Sequence, residues 1–276
     1  MCLLGLRGLS QIFLKCICND GCAERWPHTY APTFAAEGAI MTTKFQMNIF
    51  PDECYQKIIT EATKGSASAQ YCMGVMYNHG VFFIKNLKRA REWFHKSADQ
   101  GHMDAEYELF LIYRSGRGVL EDKKQALKWC RKAAAQGMDK AEYNLGVLYR
   151  EGDVVPQSDK KAIELYSRAA KRGHKCAQYN LGYHYNHGLG VPIDFKEAFR
   201  WYTLAAEQSL PRAQYALGLL YFSGEGVGED YPMACFWFEQ AAELGCVPSG
   251  ECLDLLKLVM PKRELKEAQR VSKKIH

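Results

Sequence analysis

Long apolar runs are missing from this chain. No stretch of 18 consecutive apolar residues occurs in its 276 residues, so no membrane-spanning helix is expected. A phosphate-binding loop, a dinucleotide fingerprint and a nucleophile elbow are missing as well, which leaves no sequence mark of an enzyme or a cofactor. Nor is there a charge excess in the body of the chain. The net charge is +5, and the last twenty residues, with seven Lys and Arg against two Glu, account for all of it. A neutral body lacks the basic stripe that a nucleic-acid groove needs, so no nucleic-acid partner is expected. The basic tail reads as a solvated helix face, with contact to an acidic surface as the alternative. Eleven Cys are present, but Cys72, Cys130, Cys176, Cys235 and Cys246 recur at no common interval. That argues against a copied disulfide framework and for mostly free thiols in a reducing compartment, with Cys246–Cys252 the one pair close enough to bridge.

What the chain does have is a period. Tyr77, Tyr113, Tyr149, Tyr185 and Tyr221 stand 36 residues apart. Ala69, Ala105, Ala141, Ala177 and Ala213 keep that interval, as do Gly80, Gly116, Gly152, Gly188 and Gly224. A fixed period of this length marks one supersecondary unit, copied and stacked. We number each unit from its first Ala as position 0. Positions 0, 4, 8 and 11 then share one side of a helix, here called helix A, and the Gly at position 11 ends it. Position 17 carries Asn86, Asp122, Ser158, Asp194 and Asp230, all residues that cap a helix N-terminus. Asp122 with Gln125 and Asp194 with Glu197 have the spacing of a capping box. Helix B therefore starts at position 17. It carries Ala at 21, a large residue at 24 (Trp93, Trp129, Leu165, Trp201, Trp237) and Ala at 29, and ends at a Gly at 32, replaced once by Ser209. The small residues let helices approach closely while the large ones fill the remaining space.

The fourth unit reads Ala177-Gln-Tyr-Asn-Leu-Gly182, then Gly188-Leu-Gly-Val191, Asp194, Ala198, Trp201-Tyr202 and Ala205-Ala206. This pattern resembles the Sel-1-like repeat (SLR) family, related to tetratricopeptide repeats, over residues 51–274. The resemblance implies an all-α fold: a right-handed α-solenoid of five 36-residue helix-turn-helix repeats, beginning near 69, 105, 141, 177 and 213. It also implies an adaptor or scaffold for protein complexes. Three departures stand out. Phe110 replaces the close-contact Gly of the second unit, which predicts that helices splay or shift there. The first unit has Phe82-Phe83, and the third Val154-Val155-Pro156, where others have the Gly-x-Gly-Val loop.

Residues 51–64 read as a half repeat, a lone helix B with Ala62 and Gly65 in register. Residues 250–260 read as a degraded helix A, and 261–276 as a basic capping helix. Residues 1–50 are expected to be a poorly ordered extension. Mitochondrial targeting and membrane contact are the alternatives for the acid-free stretch 2–18, and Met41 or Met47 are alternative starts. Cys16, Cys18, Cys22 and His28 fit no common zinc spacing, and no metal site is expected there. His184 and His187 share a helix face without an accompanying Glu, and a surface role is expected for them.

Function is expected on helix A positions that the packing stripe leaves free. These are Glu108, Asn144 and Asn180 at position 3; Asn78, Arg114, Arg150 and Asn186 at 9; and His79, Glu151 and His187 at 10. On a concave helix-A face they would form one polar track, suited to hydrogen-bonding an extended peptide or an acidic side chain. The Tyr column at position 2 reads as packing between units, with a binding ladder as the alternative. The reading is a monomeric, non-catalytic, cytoplasmic adaptor for a protein or peptide. The alternatives are a mitochondrial or host-directed assembly factor and a thiol- or metal-dependent enzyme.

Overall fold

The computed structural model describes residues 52–261 together with Glu264 and Ala268. The expectations for 1–50, the Cys16–His28 cluster among them, and for most of the basic tail lie outside the described residues. The described residues form twelve helices with no strand. They divide into two compact units that meet between Ala133 and Ala134. The first holds α1 (Asp52–Thr63), α2 (Ala67–His79), α3 (Leu87–Ala98), α4 (Met103–Ser115) and most of α5 (Lys123–Ala135). The second holds α6 (Asp139–Glu151), α7 (Asp159–Lys171), α8 (Lys175–His187), α9 (Phe195–Glu207), α10 (Pro211–Ser223), α11 (Tyr231–Glu243) and α12 (Val247–Val259). From α1 to α4 in the first unit and from α6 to α12 in the second, consecutive helices pack on one another, as a solenoid requires. The even-numbered helices are the A helices and the odd-numbered ones the B helices, with α1 supplying the half repeat.

Each hairpin is closed by the same two devices. Glycine at position 11 lies in the left-handed region in all five repeats, with φ between 66° and 74°, where a Cβ would be strained. The residue at position 17 then does double duty. Its backbone N–H donates to the position-8 Tyr carbonyl at 2.9–3.0 Å in every repeat, pinning the loop. Its side chain accepts from the first turn of the B helix, as from Arg89, Gln125, Lys161, Glu197 and Met233. Each cap contributes about 1 kcal/mol. The reciprocal half of the Asp194 capping box is not made, because the Glu197 carboxylate accepts from Trp201 Nε1 at 3.1 Å and pairs with Arg200. In the first repeat Phe82 takes a left-handed φ of 63° that glycine fills at Gly118, Gly190 and Gly226. Its ring stacks on Tyr55 at 5.2 Å, a contact that offsets the strain.

The core bears out burial at position 24 in three repeats, at Trp129, Leu165 and Trp201, whereas Trp93 and Trp237 are half-buried. The side chains enclosed in every repeat are at position 25: Phe94, Cys130, Tyr166, Tyr202 and Phe238 are at most 2% exposed. Four of these meet the glycine at position 5. A Cβ on Gly74, Gly146, Gly182 or Gly218 would lie within 2.5–2.8 Å of the facing ring. In the second repeat the two sizes are exchanged, with Phe110 at position 5 and Cys130 at position 25, both fully buried. The bulky side chain comes from the other helix there, which conserves the volume of the pair.

A column of buried polar residues was not expected. Position 1 holds Gln70, Glu106, Glu142, Gln178 and Gln214, each at most 7% exposed. Gln70, Gln178 and Gln214 donate to the Ala62, Ala170 and Ala206 carbonyls of the preceding B helix. Their side-chain oxygens need a second partner, which position 31 supplies. Gln100 donates to Gln70 and Gln208 to Gln178, both at 2.8 Å. In the third repeat the pair is ionic, with Arg172 bonded to Glu142 and Arg168 Nε 3.4 Å from it. In the fifth repeat position 31 is Leu244, 50% exposed, and the Gln214 Oε1 is buried with no partner. Polar groups enclosed this way cost stability unless bonded, so the position-1 glutamines tie their repeats to the preceding B helix, and their bonding is completed within the repeat only where position 31 supplies a donor.

Candidate functional site

The A helices turn positions 0, 1, 4, 5 and 8 toward the core, and the candidate residues lie on what remains. In the first unit His79 is exposed, and partial burial, then Arg117 and Lys85, hold its imidazole below the ordinary histidine range. Asn78 is buried at 7% exposure, with Nδ2 3.2 Å from His79 Nε2, so it presents little surface of its own. Glu108 is half-buried and pairs with Arg117 at 3.7 Å. Arg114 is exposed, its guanidinium 5.6 Å above the Phe110 ring.

In the second unit, α6 and α8 carry the rest at equivalent positions. Asn144 Nδ2 donates to the Lys140 carbonyl at 2.8 Å, and Arg150 lies 3.9 Å from Glu151. Asn180 sits beside the Tyr166 hydroxyl, which burial pushes up to a pKa of about 12. His187 Nδ1 is 2.9 Å from the Tyr183 carbonyl, so that nitrogen carries the proton and leaves Nε2 as an acceptor. Its ring stacks on Tyr183 at 4.0 Å. Asn186 Oδ1 is buried without a partner. This face offers donors, acceptors and stacked rings, a chemistry of recognition.

His184 departs from the expected surface role. It is 1% exposed and bonds the Leu189 carbonyl through Nδ1 at 2.8 Å, packed against Tyr166, so it is a core residue separated in environment from exposed His187. Among the described residues no group of three or more His, Cys, Asp or Glu gathers as a metal site. Cys246 and Cys252 are free thiols, and no bridge joins them. Cys72, by contrast, is disulfide-bonded, which removes part of the reason for inferring a reducing compartment. The Tyr column at position 2 packs, here within its own repeat: Tyr71, Tyr143, Tyr179 and Tyr215 lie 5.6–6.0 Å from the position-25 rings.

Sequence reasoning overlooked one surface. At positions 6 and 9 the face turns apolar after α8, with Leu219 and Phe222 on α10 and Leu255 and Leu258 on α12. They line a cavity of about 350 Å³ with Phe238, Cys252 and Leu256. The signal was available, since the Asn and Arg letters at positions 3 and 9 cease after Asn186.

The Sel1 repeat family model matches residues 67–102, 104–138, 139–174, 177–210 and 211–246, the five units of the 36-residue period. The chain belongs to the Sel1 repeat family. Proteins of this family generally serve as protein-interaction scaffolds and are typically non-catalytic. Among solved structures, a protective antigen of uropathogenic Escherichia coli with an SLR fold is 32% identical, with a TM-score of 0.73 over 84% of this chain. The chain spans 51% of that protein's length. A Sel1 repeat protein from Oxalobacter formigenes is 29% identical, with a TM-score of 0.68 over 82% of this chain and 96% of its own. No curated protein matches the chain in sequence. Among the described residues no helix of this Sel1 repeat protein is long and apolar enough to cross a membrane.

Proposed function

We propose that this chain is a non-catalytic adaptor that docks a partner protein or peptide along its helix-A face. The observation that carries the reading is the division of labour on these helices. Positions 0, 1, 4, 5 and 8 are committed to packing, while positions 3, 9 and 10 of α6 and α8 carry Asn, Arg and His side chains clear of that stripe. Asn and Arg in a row suit a peptide backbone and its carboxylates, and His187 adds an acceptor and a stacking surface. Family membership supports the same reading, since these repeats present surfaces more often than they perform chemistry.

The test compares partners captured in cells by wild type and by Arg150→Glu/Asn180→Ala/His187→Ala, using cross-linking and mass spectrometry. Loss of one or a few partners at unchanged abundance and melting temperature is expected. An identical set of partners would remove the helix-A face from consideration.

A further inference from the structure

The cavity on α10 and α12 adds a requirement that the polar track does not express. Its wall consists of five aliphatic or aromatic side chains from positions 6, 7 and 9 of two successive A helices, closed by Phe238 and the Cys252 thiol. Among the described residues no charged side chain lines it. Leu219 and Phe222 are 37% and 44% exposed, and Leu255 and Leu258 are 65% and 82% exposed. Large apolar side chains left this open, side by side, mark a docking surface. Ala268 packs with Leu253, Leu256 and Met260, and this leaves Leu255 and Leu258 uncovered.

We infer that this cavity seats a pair of bulky apolar side chains from the partner segment that runs along the helix-A face. The inference rests on the adaptor reading and names the partner's chemistry at one end. Three observations select this occupant. Among the described residues the wall offers no polar group but the Cys252 thiol, which already points to the Tyr215 hydroxyl, so the inserted group is apolar. The four exposed side chains, at ~200 Å² for a large side chain, present on the order of 450 Å², short of the ~800 Å² per partner that a stable dimer of this chain needs. Position 9 carries Arg150 and Asn186 of the polar track on α6 and α8 and Phe222 and Leu258 of the cavity on α10 and α12, so a segment lying along the face reaches the cavity without turning. A short segment with an apolar anchor is the occupant that meets all three conditions.

The test is selection of a displayed library of random 16-residue peptides on the full-length protein. Enriched peptides are then measured by fluorescence anisotropy against Leu255→Glu/Leu258→Glu and against Arg150→Glu/Asn180→Ala. Enrichment of two large apolar residues at fixed spacing is expected, with binding weakened about 30-fold or more by the leucine substitutions. Both leucines are exposed, so the variant should melt with wild type; if it does not, Leu258→Lys alone replaces it. Peptides that lack the apolar pair, or that bind the leucine variant equally well, overturn the inference and leave the adaptor reading standing. Loss with the leucine variant but none with Arg150→Glu/Asn180→Ala supports the cavity and removes the polar track. A wild-type dimer that Leu255→Glu/Leu258→Glu dissolves, or a lipid co-purifying with wild type alone, assigns the cavity to another occupant and overturns the inference.

Discussion

In the fourth repeat Gln178 is closed over by Gln208, and the A helix shows Asn180, Tyr183 and Asn186 to solvent. In the fifth, Gln214 meets no donor, Leu244 stands half-exposed in the donor's place, and the A helix shows Leu219 and Phe222. The two repeats nevertheless share their caps, their left-handed glycines and the same ring over the same glycine. Scaffold and surface are thus specified by separate sets of positions. The backbone is fixed by Ala, Gly, an N-cap and one aromatic residue. Position 1 with 31, and positions 3, 6 and 9, are left to differ between units, and a family of stacked repeats gains its binding diversity there.

The comparison breaks first where the position-1 partner is charged. Arg172→Leu gives the third repeat the fifth repeat's residue and leaves the Glu142 carboxylate, 2% exposed, with Arg168 alone. Stripping one partner from a fully buried ion pair costs about 3–5 kcal/mol; Arg172 is 49% exposed and Arg168 remains, so solvent screening brings this case below that range, to about 1–2 kcal/mol. Urea titration followed by tyrosine and tryptophan fluorescence measures it. Arg172→Leu/Glu142→Gln should recover part of the loss, since the buried group is then neutral. An unchanged urea midpoint for Arg172→Leu would show that the carboxylate draws little from its neighbours.

Much of this was legible in the sequence. The period, the hairpin loops, all five N-caps and the left-handed glycines followed from residue type and spacing, because each expresses a local constraint that one residue satisfies. Three features did not follow. The position-1 Gln and Glu drew no notice, because helical periodicity scores polarity within one helix, whereas their partners stand thirty residues later. Phe110 read as a defect because its compensation, Cys130, lies on the next helix. His184 read as exposed for the same reason: its bond to the Leu189 carbonyl forms only once the loop folds back over the helix end. Of the candidate site, the polar letters at positions 3, 9 and 10 were legible. The burial of Asn78 and the apolar cavity were not, since both depend on what the neighbouring helices cover.

Neutral exchanges of the same kind sharpen the contrast between the fourth and fifth repeats. Gln208→Leu leaves the Gln178 oxygen buried without the donor that Gln208 supplies, at a cost of about 1–3 kcal/mol. The reverse exchange, Leu244→Gln, offers the Gln214 Oε1 the donor that Gln208 gives Gln178, and removes a half-exposed leucine. A gain of about 1 kcal/mol is expected, because a hydrogen bond made on folding to a group otherwise left unbonded recovers the cost of its burial. In a stacked array that gain should appear first where the fifth repeat unfolds, so amide exchange in α10 and α11 is the sensitive measurement and the whole-chain melt the coarser one. Slower exchange there, with no change in α8 and α9, would place the effect in the Gln214–position 244 pair. A Leu244→Gln variant that exchanges like wild type would mean that water already serves the Gln214 oxygen, and the two repeats would then differ in surface but not in stability.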